Sequence, residues 1–200
     1  MNLLKLFKKP VTKRLPNYPF IKLADIPPAS AILFYGGNNL TELIGNRLYN
    51  HPYKPPAFHA AFYICRGLFL NVGKFRTVQL LKDEFRSARR IDVVVFKDIP
   101  ADKRNALCDA AVLDASVPRI GLELPDYAFT DYLRFGMRFL QPSKKDFCSE
   151  NVAELFLTQG VKLSDLKPVD TAPWDIEEYA EAHPEACEIR TLWCGLDFKG

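Results

Sequence analysis

Cys148 stands where a polar loop, Pro142 to Asp146, gives way to an amphipathic helix. A thiol at a helix start faces unpaired N–H groups and the positive end of the helix dipole. That setting favours the thiolate, which is the nucleophilic form, and the same N–H groups can hold an oxyanion. Most cysteines are small buried hydrophobes, so position alone does not make Cys148 a nucleophile. A thiolate nucleophile also needs a base that can protonate a leaving group, and histidine suits that work near neutral pH. The chain has 3 histidines. His51 and His183 precede prolines in polar loops and read as exposed loop residues. His59 opens a hydrophobic strand behind a proline-rich loop, where packing can hold the ring rigidly.

A third group should fix the imidazole tautomer. Asn71 is the polar residue of an otherwise apolar returning strand, Leu68 to Val72, and hairpin geometry decides whether it reaches His59. With a three-residue loop Cys65-Arg66-Gly67, Ile64 opposes Leu68 and Asn71 opposes Ala61. Asn71 is then on the face of His59, one diagonal step away, at the ~7–8 Å typical of such neighbours. A two-residue loop turns Asn71 to the other face.

The elements that must position these groups follow from local pattern. Residues 1–28 read as an irregular basic arm broken by Pro10, Pro16, Pro19, Pro27 and Pro28, and residues 29–200 as one domain. Strands are expected over 31–35, 59–65, 68–72 and 91–96, with a final strand or extended tail over 189–196. Helices are expected over about 40–49, 79–85, 101–115 and 126–138, from Cys148 to a stop at Gly160, and from Pro173 to about 182. Strands early and helices mostly late predict an α+β domain with a small antiparallel sheet packed against helices.

Composition narrows the classes. At 48% hydrophobic and 26% charged residues, the chain is an ordinary globular sequence and not a disordered one. A net charge of +3 does not by itself imply nucleic acid. Six of the 27 basic residues precede Asp25 with no acid among them, which gives the arm a means of weak contact with a membrane surface. No apolar run approaches the ~20 residues of a membrane span, and no apolar h-region marks a signal peptide. Five cysteines without CxxC spacing predict neither a zinc site nor a disulfide framework, although a Cys187–Cys194 pairing stays open. They point to a reducing, cytoplasmic setting or to delivery without a secretory signal. No metal or cofactor is expected.

In chain order, Ala31-Ile-Leu-Phe-Tyr35, His59-Ala-Ala-Phe-Tyr-Ile64, Asn71, Val78-Gln-Leu-Leu-Lys-Asp-Glu-Phe85, Asp126-Tyr127, Phe147-Cys148-Ser149-Glu150 and Thr171-Ala-Pro-Trp-Asp175 form a set. The set resembles the circularly permuted branch of the NlpC/P60 superfamily, in particular YiiX/YebB-like cysteine hydrolases. The likeness covers about residues 28–180. It implies a permuted papain-like fold, with Cys148 as nucleophile, His59 as base and Asn71 as the group orienting the imidazole. Tyr35, Tyr127 and Ser149 are candidate site-lining residues. The sequence departs from the family at three places. Asn71 stands where relatives often carry His or Glu, Asn151 where they often carry an apolar residue, and Ser30-Ala31 where a glycine-aspartate pair is usual.

The resemblance implies hydrolysis of an amide bond, in a peptide or a peptidoglycan-type substrate. The alternatives are a lipid-directed acyltransferase or phospholipase of the lecithin:retinol acyltransferase type, acting on an acyl-bearing substrate through the same residues, and a non-enzymatic binding module that keeps the fold.

Overall fold

The computed structural model describes residues 17–36, 57–72, 76–86, 88–116 and 148–195. The helices expected over 40–49 and 126–138, and with them His51 and Tyr127, lie outside the described residues. So does the first part of the basic arm.

Among the described residues, six strands form one antiparallel sheet, which with its helices makes an α+β fold. The strands are β1 (Ser30–Tyr35), β2 (His59–Cys65), β3 (Leu68–Val72), β4 (Arg76–Leu80), β5 (Arg90–Phe96) and β6 (Cys187–Cys194), in the order β4-β3-β2-β1-β5-β6. The helices are α1 (Ala101–Ser116), α2 (Cys148–Leu157) and α3 (Pro173–Ala182). β1 and β5 are buried along their whole length, as central strands covered on both faces should be.

Alternation along the strands divides the core into two layers. Leu33, Phe62, Leu70, Val94 and Phe96 pack under the helices with Val152 and Phe156. The Phe156 ring lies 5.3 Å from that of Phe62 and 5.0 Å from that of Phe96, which anchors α2 to the sheet. Ile32, Phe34, Tyr63, Phe69, Ile91 and Val93 form the opposite layer, covered by Ile26 and Leu81. The second half of the arm joins the sheet beyond β6, where Thr191 N–H donates to Pro19 O and Ile21 N–H to Thr191 O, each at 2.9 Å.

Two expectations change. The helix expected over 79–85 is an edge strand to Leu80 followed by a 3-10 turn, Leu81–Arg86. Pairing of Arg76 to Leu80 with β3 overrides the local apolar spacing that suggested a helix. The β2–β3 hairpin also departs from the simple three-residue loop. Arg66 and Gly67 form a two-residue turn with φ of +50° and +82°, the left-handed pair that suits the strand twist. Cys65 opposes Leu68, and a β-bulge between Tyr63 and Cys65 then restores the pairing of Tyr63 with Phe69 and Phe62 with Leu70. The extra residue in the bulge cancels the shorter turn. Continued along the strands, this register puts Asn71 opposite Ala61 and so on the face of His59.

Candidate active site

His59 is the first residue of β2 and Cys148 the first of α2. Cys148 is fully buried, and every residue from it to Ala153 is buried as well. Ser149 does not line a cleft: its hydroxyl is buried and donates to Thr171 O at 2.6 Å, tying the start of α2 to the segment before α3. There Asp175 accepts from Ala172 N–H at 2.7 Å and caps α3. Tyr35 is likewise fully buried in the helix-side core.

The His59 ring is bracketed. Nε2 lies 2.8 Å from Asn71 Oδ1, which can only accept, so Nε2 carries the proton and donates. Asn71 is held in that orientation because its Nδ2 donates to Gln79 Oε1 at 2.9 Å. The Cys148 thiol is hydrogen-bonded to the same imidazole. Phe34 packs beside the ring at 5.3 Å between centroids and Phe58 at 6.4 Å.

Electrostatics favour a charged imidazole. Burial pulls the His59 pKa down, but the Cys148 sulfur, the hydrogen bonds to Cys148 and Asn71 and the charge of Glu84 outweigh it and hold the group above the ordinary histidine value. A titration of the His59 ring by NMR should show this directly. Asn71→Ala removes an acceptor that stabilises the imidazolium, so the His59 pKa is expected to fall. Gln79→Leu, which only frees the Asn71 amide, should lower it by less. A value unchanged in Asn71→Ala would mean the 2.8 Å contact contributes nothing to the charged ring.

The remaining cysteines are differently placed and form no disulfide with one another. Burial pushes the Cys187 thiol up to about 11 and raises that of Cys108, which also donates to Ile64 O at 3.2 Å. Cys65 borders the hairpin turn and Cys194 ends β6. Among the described residues, no group of three or more His, Cys, Asp or Glu side chains is placed to hold a metal ion, and no helix is long and apolar enough to cross a membrane.

The structure thus brings Cys148, His59 and Asn71 together and sets Tyr35 and Ser149 into the core. Gln79 was not anticipated as a member of the site. It opposes Phe69, while Thr77 opposes Asn71, so Gln79 stands one diagonal step from Asn71 just as Asn71 does from His59. Reading 76–80 as a strand would have exposed it. Compared with known protein families and with curated proteins, the chain matches none.

Proposed function

We propose that the chain is a thiol hydrolase acting on an amide bond, with the fold of a circularly permuted papain-like or NlpC/P60-type enzyme. The observation that carries this reading is the imidazole of His59, hydrogen-bonded both to a helix-initial cysteine and, through Nε2, to an asparagine. Asn71 keeps the proton on Nε2, which leaves the Nδ1 lone pair to take the thiol proton. An asparagine cannot neutralise the imidazolium, but its carbonyl dipole favours it.

In the reaction, Cys148 Sγ attacks the substrate carbonyl carbon and the carbonyl oxygen becomes an oxyanion. The N–H groups that begin α2 point toward that charge. His59 gives its proton to the departing amine as the C–N bond breaks, leaving a thioester on Cys148. His59 then takes a proton from water, hydroxide adds to the thioester, and the acid is released as the thiol re-forms.

The test is stoichiometric labelling with iodoacetamide, followed by product analysis. Labelling at Cys148 is expected to vanish in Cys148→Ala and to slow in His59→Ala. Amine release from peptides or peptidoglycan fragments should depend on both residues. Equal labelling of wild type and both variants would overturn the reading. Fatty acid release from lipids, with no amine release, would replace the amide substrate by an ester one.

A further inference from the structure

The reacting groups sit on elements that share no covalent constraint: the nucleophile on α2, the base and its orienting group on β2 and β3. Apolar contact holds these layers together through Val152 and Phe156. Such contact is non-directional and resists separation more than sliding. A thiol–imidazole hydrogen bond tolerates little sliding.

A polar cluster beside the site supplies direction. Asn151 lies one helical turn beyond Cys148 and is 7% exposed. One end of its amide faces both members of an ion pair: as Nδ2 it donates to Asp114 Oδ2 at 3.3 Å, and with the amide turned over its oxygen accepts from Arg76 Nη1 at 3.2 Å and from Nη2 at 3.1 Å. Arg76 opens β4 opposite Val72, the residue after Asn71. Its Nη1 also pairs with the carboxylate of Asp114 near the end of α1. One guanidinium therefore joins α1, α2 and β4 at a place where an all-apolar interface would suffice for stability. The planar fork of arginine fixes direction as well as distance, which lysine cannot do.

We propose that Arg76, Asp114 and Asn151 form a clamp that sets the position of α2 against the sheet, so that Cys148 meets the His59 ring in register. Asn151 and Arg76 are positioning residues and touch no substrate. The inference rests on the thiol hydrolase reading above. Asn151→Leu keeps the volume and leaves the Arg76–Asp114 pair in place, yet removes the tie to α2.

The experiment compares iodoacetamide labelling of Cys148 across pH in wild type, His59→Ala, Asn151→Leu and the double variant Asn151→Asp with Asp114→Asn, with thermal melting of each. Asn151→Leu is expected to melt near wild type but to label Cys148 roughly 10- to 100-fold more slowly, as a misplacement near 1 Å would cause. Its pH profile should move toward that of His59→Ala. Asn151→Asp combined with Asp114→Asn, which keeps acceptor oxygens for Arg76 and a single carboxylate in the cluster, should restore the rate. If Asn151→Leu does not fold, Asn151→Ser removes the same reach at smaller volume and is read in its place. A wild-type rate and profile in the folded Asn151 variant would overturn the clamp while leaving the hydrolase reading intact. Labelling of wild type that is indifferent to His59 would overturn the hydrolase reading, and the clamp with it.

Discussion

On the proposed thiol hydrolase reading, replacing His59 by alanine is expected to lower amide hydrolysis by roughly 10²–10⁴-fold, the usual yield of a positioned acid–base group. The same change should displace the pH profile of Cys148 labelling. Although burial opposes it, the neighbouring sulfur and the hydrogen bonds to Cys148 and Asn71 raise the His59 pKa in the folded chain. A raised pKa keeps the imidazolium present as pH climbs past the ordinary ~6.5 of histidine. The thiolate–imidazolium pair therefore persists to higher pH than an isolated histidine would allow, and its alkaline limb lies above that value. In His59→Ala the sulfur loses this imidazolium, so labelling should rise only at higher pH than in wild type. Asn71→Ala acts in the other direction on the pair, because a weaker imidazolium is lost earlier and the alkaline limb moves down. Rates at matched pH in the three proteins, measured by intact mass, check all three shifts. Superimposable profiles for wild type and His59→Ala would show that the contact with Cys148 does not govern the thiol.

How far the site could be read beforehand depended on how local each constraint is. The strands over 31–35, 59–65, 68–72 and 91–96 announce themselves by β-branched and aromatic runs, and Pro173 marks α3. Asn71 was within reach of pairing arithmetic, although the turn is shorter than the one that arithmetic assumed. The bulge near Ile64 repaired the register, and nothing local in Tyr63-Ile-Cys65 advertises a bulge. β4 was missed because an edge strand, half exposed and paired on one side, carries a weak alternation that the following Leu81 and Phe85 overwrite with a helical spacing. With β4 went Gln79 and Arg76. The Asn151–Arg76–Asp114 cluster joins residues far apart in sequence, and only the packed fold brings them together.

Arg90 and Asp92 carried a local signal of another kind: two opposite charges at alternate positions of a strand buried along its whole length. Both point toward the helix-side core. Asp92 is fully buried, and Arg90 Nε donates to its Oδ1 at 2.8 Å while Nη2 donates to Thr191 Oγ1 at 3.2 Å. The guanidinium also lies over the rings of Tyr18 and Tyr35, 5.1 and 5.7 Å from their centroids. Removing one partner of such a pair leaves the other buried and uncompensated, at a cost of about 3–5 kcal/mol. Arg90→Met is therefore expected to destabilise the fold by about that amount. Its cost should depend on pH. Burial raises the Asp92 pKa, and the hydrogen bond and charge of Arg90 hold it back. Without Arg90 the folded-state value climbs further. A group whose pKa is raised on folding stabilises the fold while protonated and ceases to do so as pH rises through the folded value. The deficit of Arg90→Met should accordingly be largest at neutral pH and shrink as the solution is acidified toward the carboxylate range. Arg90→Met combined with Asp92→Leu removes both charges and should recover most of the loss, because the pair contributes less than its broken halves cost. Urea unfolding of the three proteins at neutral and mildly acidic pH decides it: a deficit independent of pH, or a double variant no better than the single, would mean that Asp92 is not the charge left stranded.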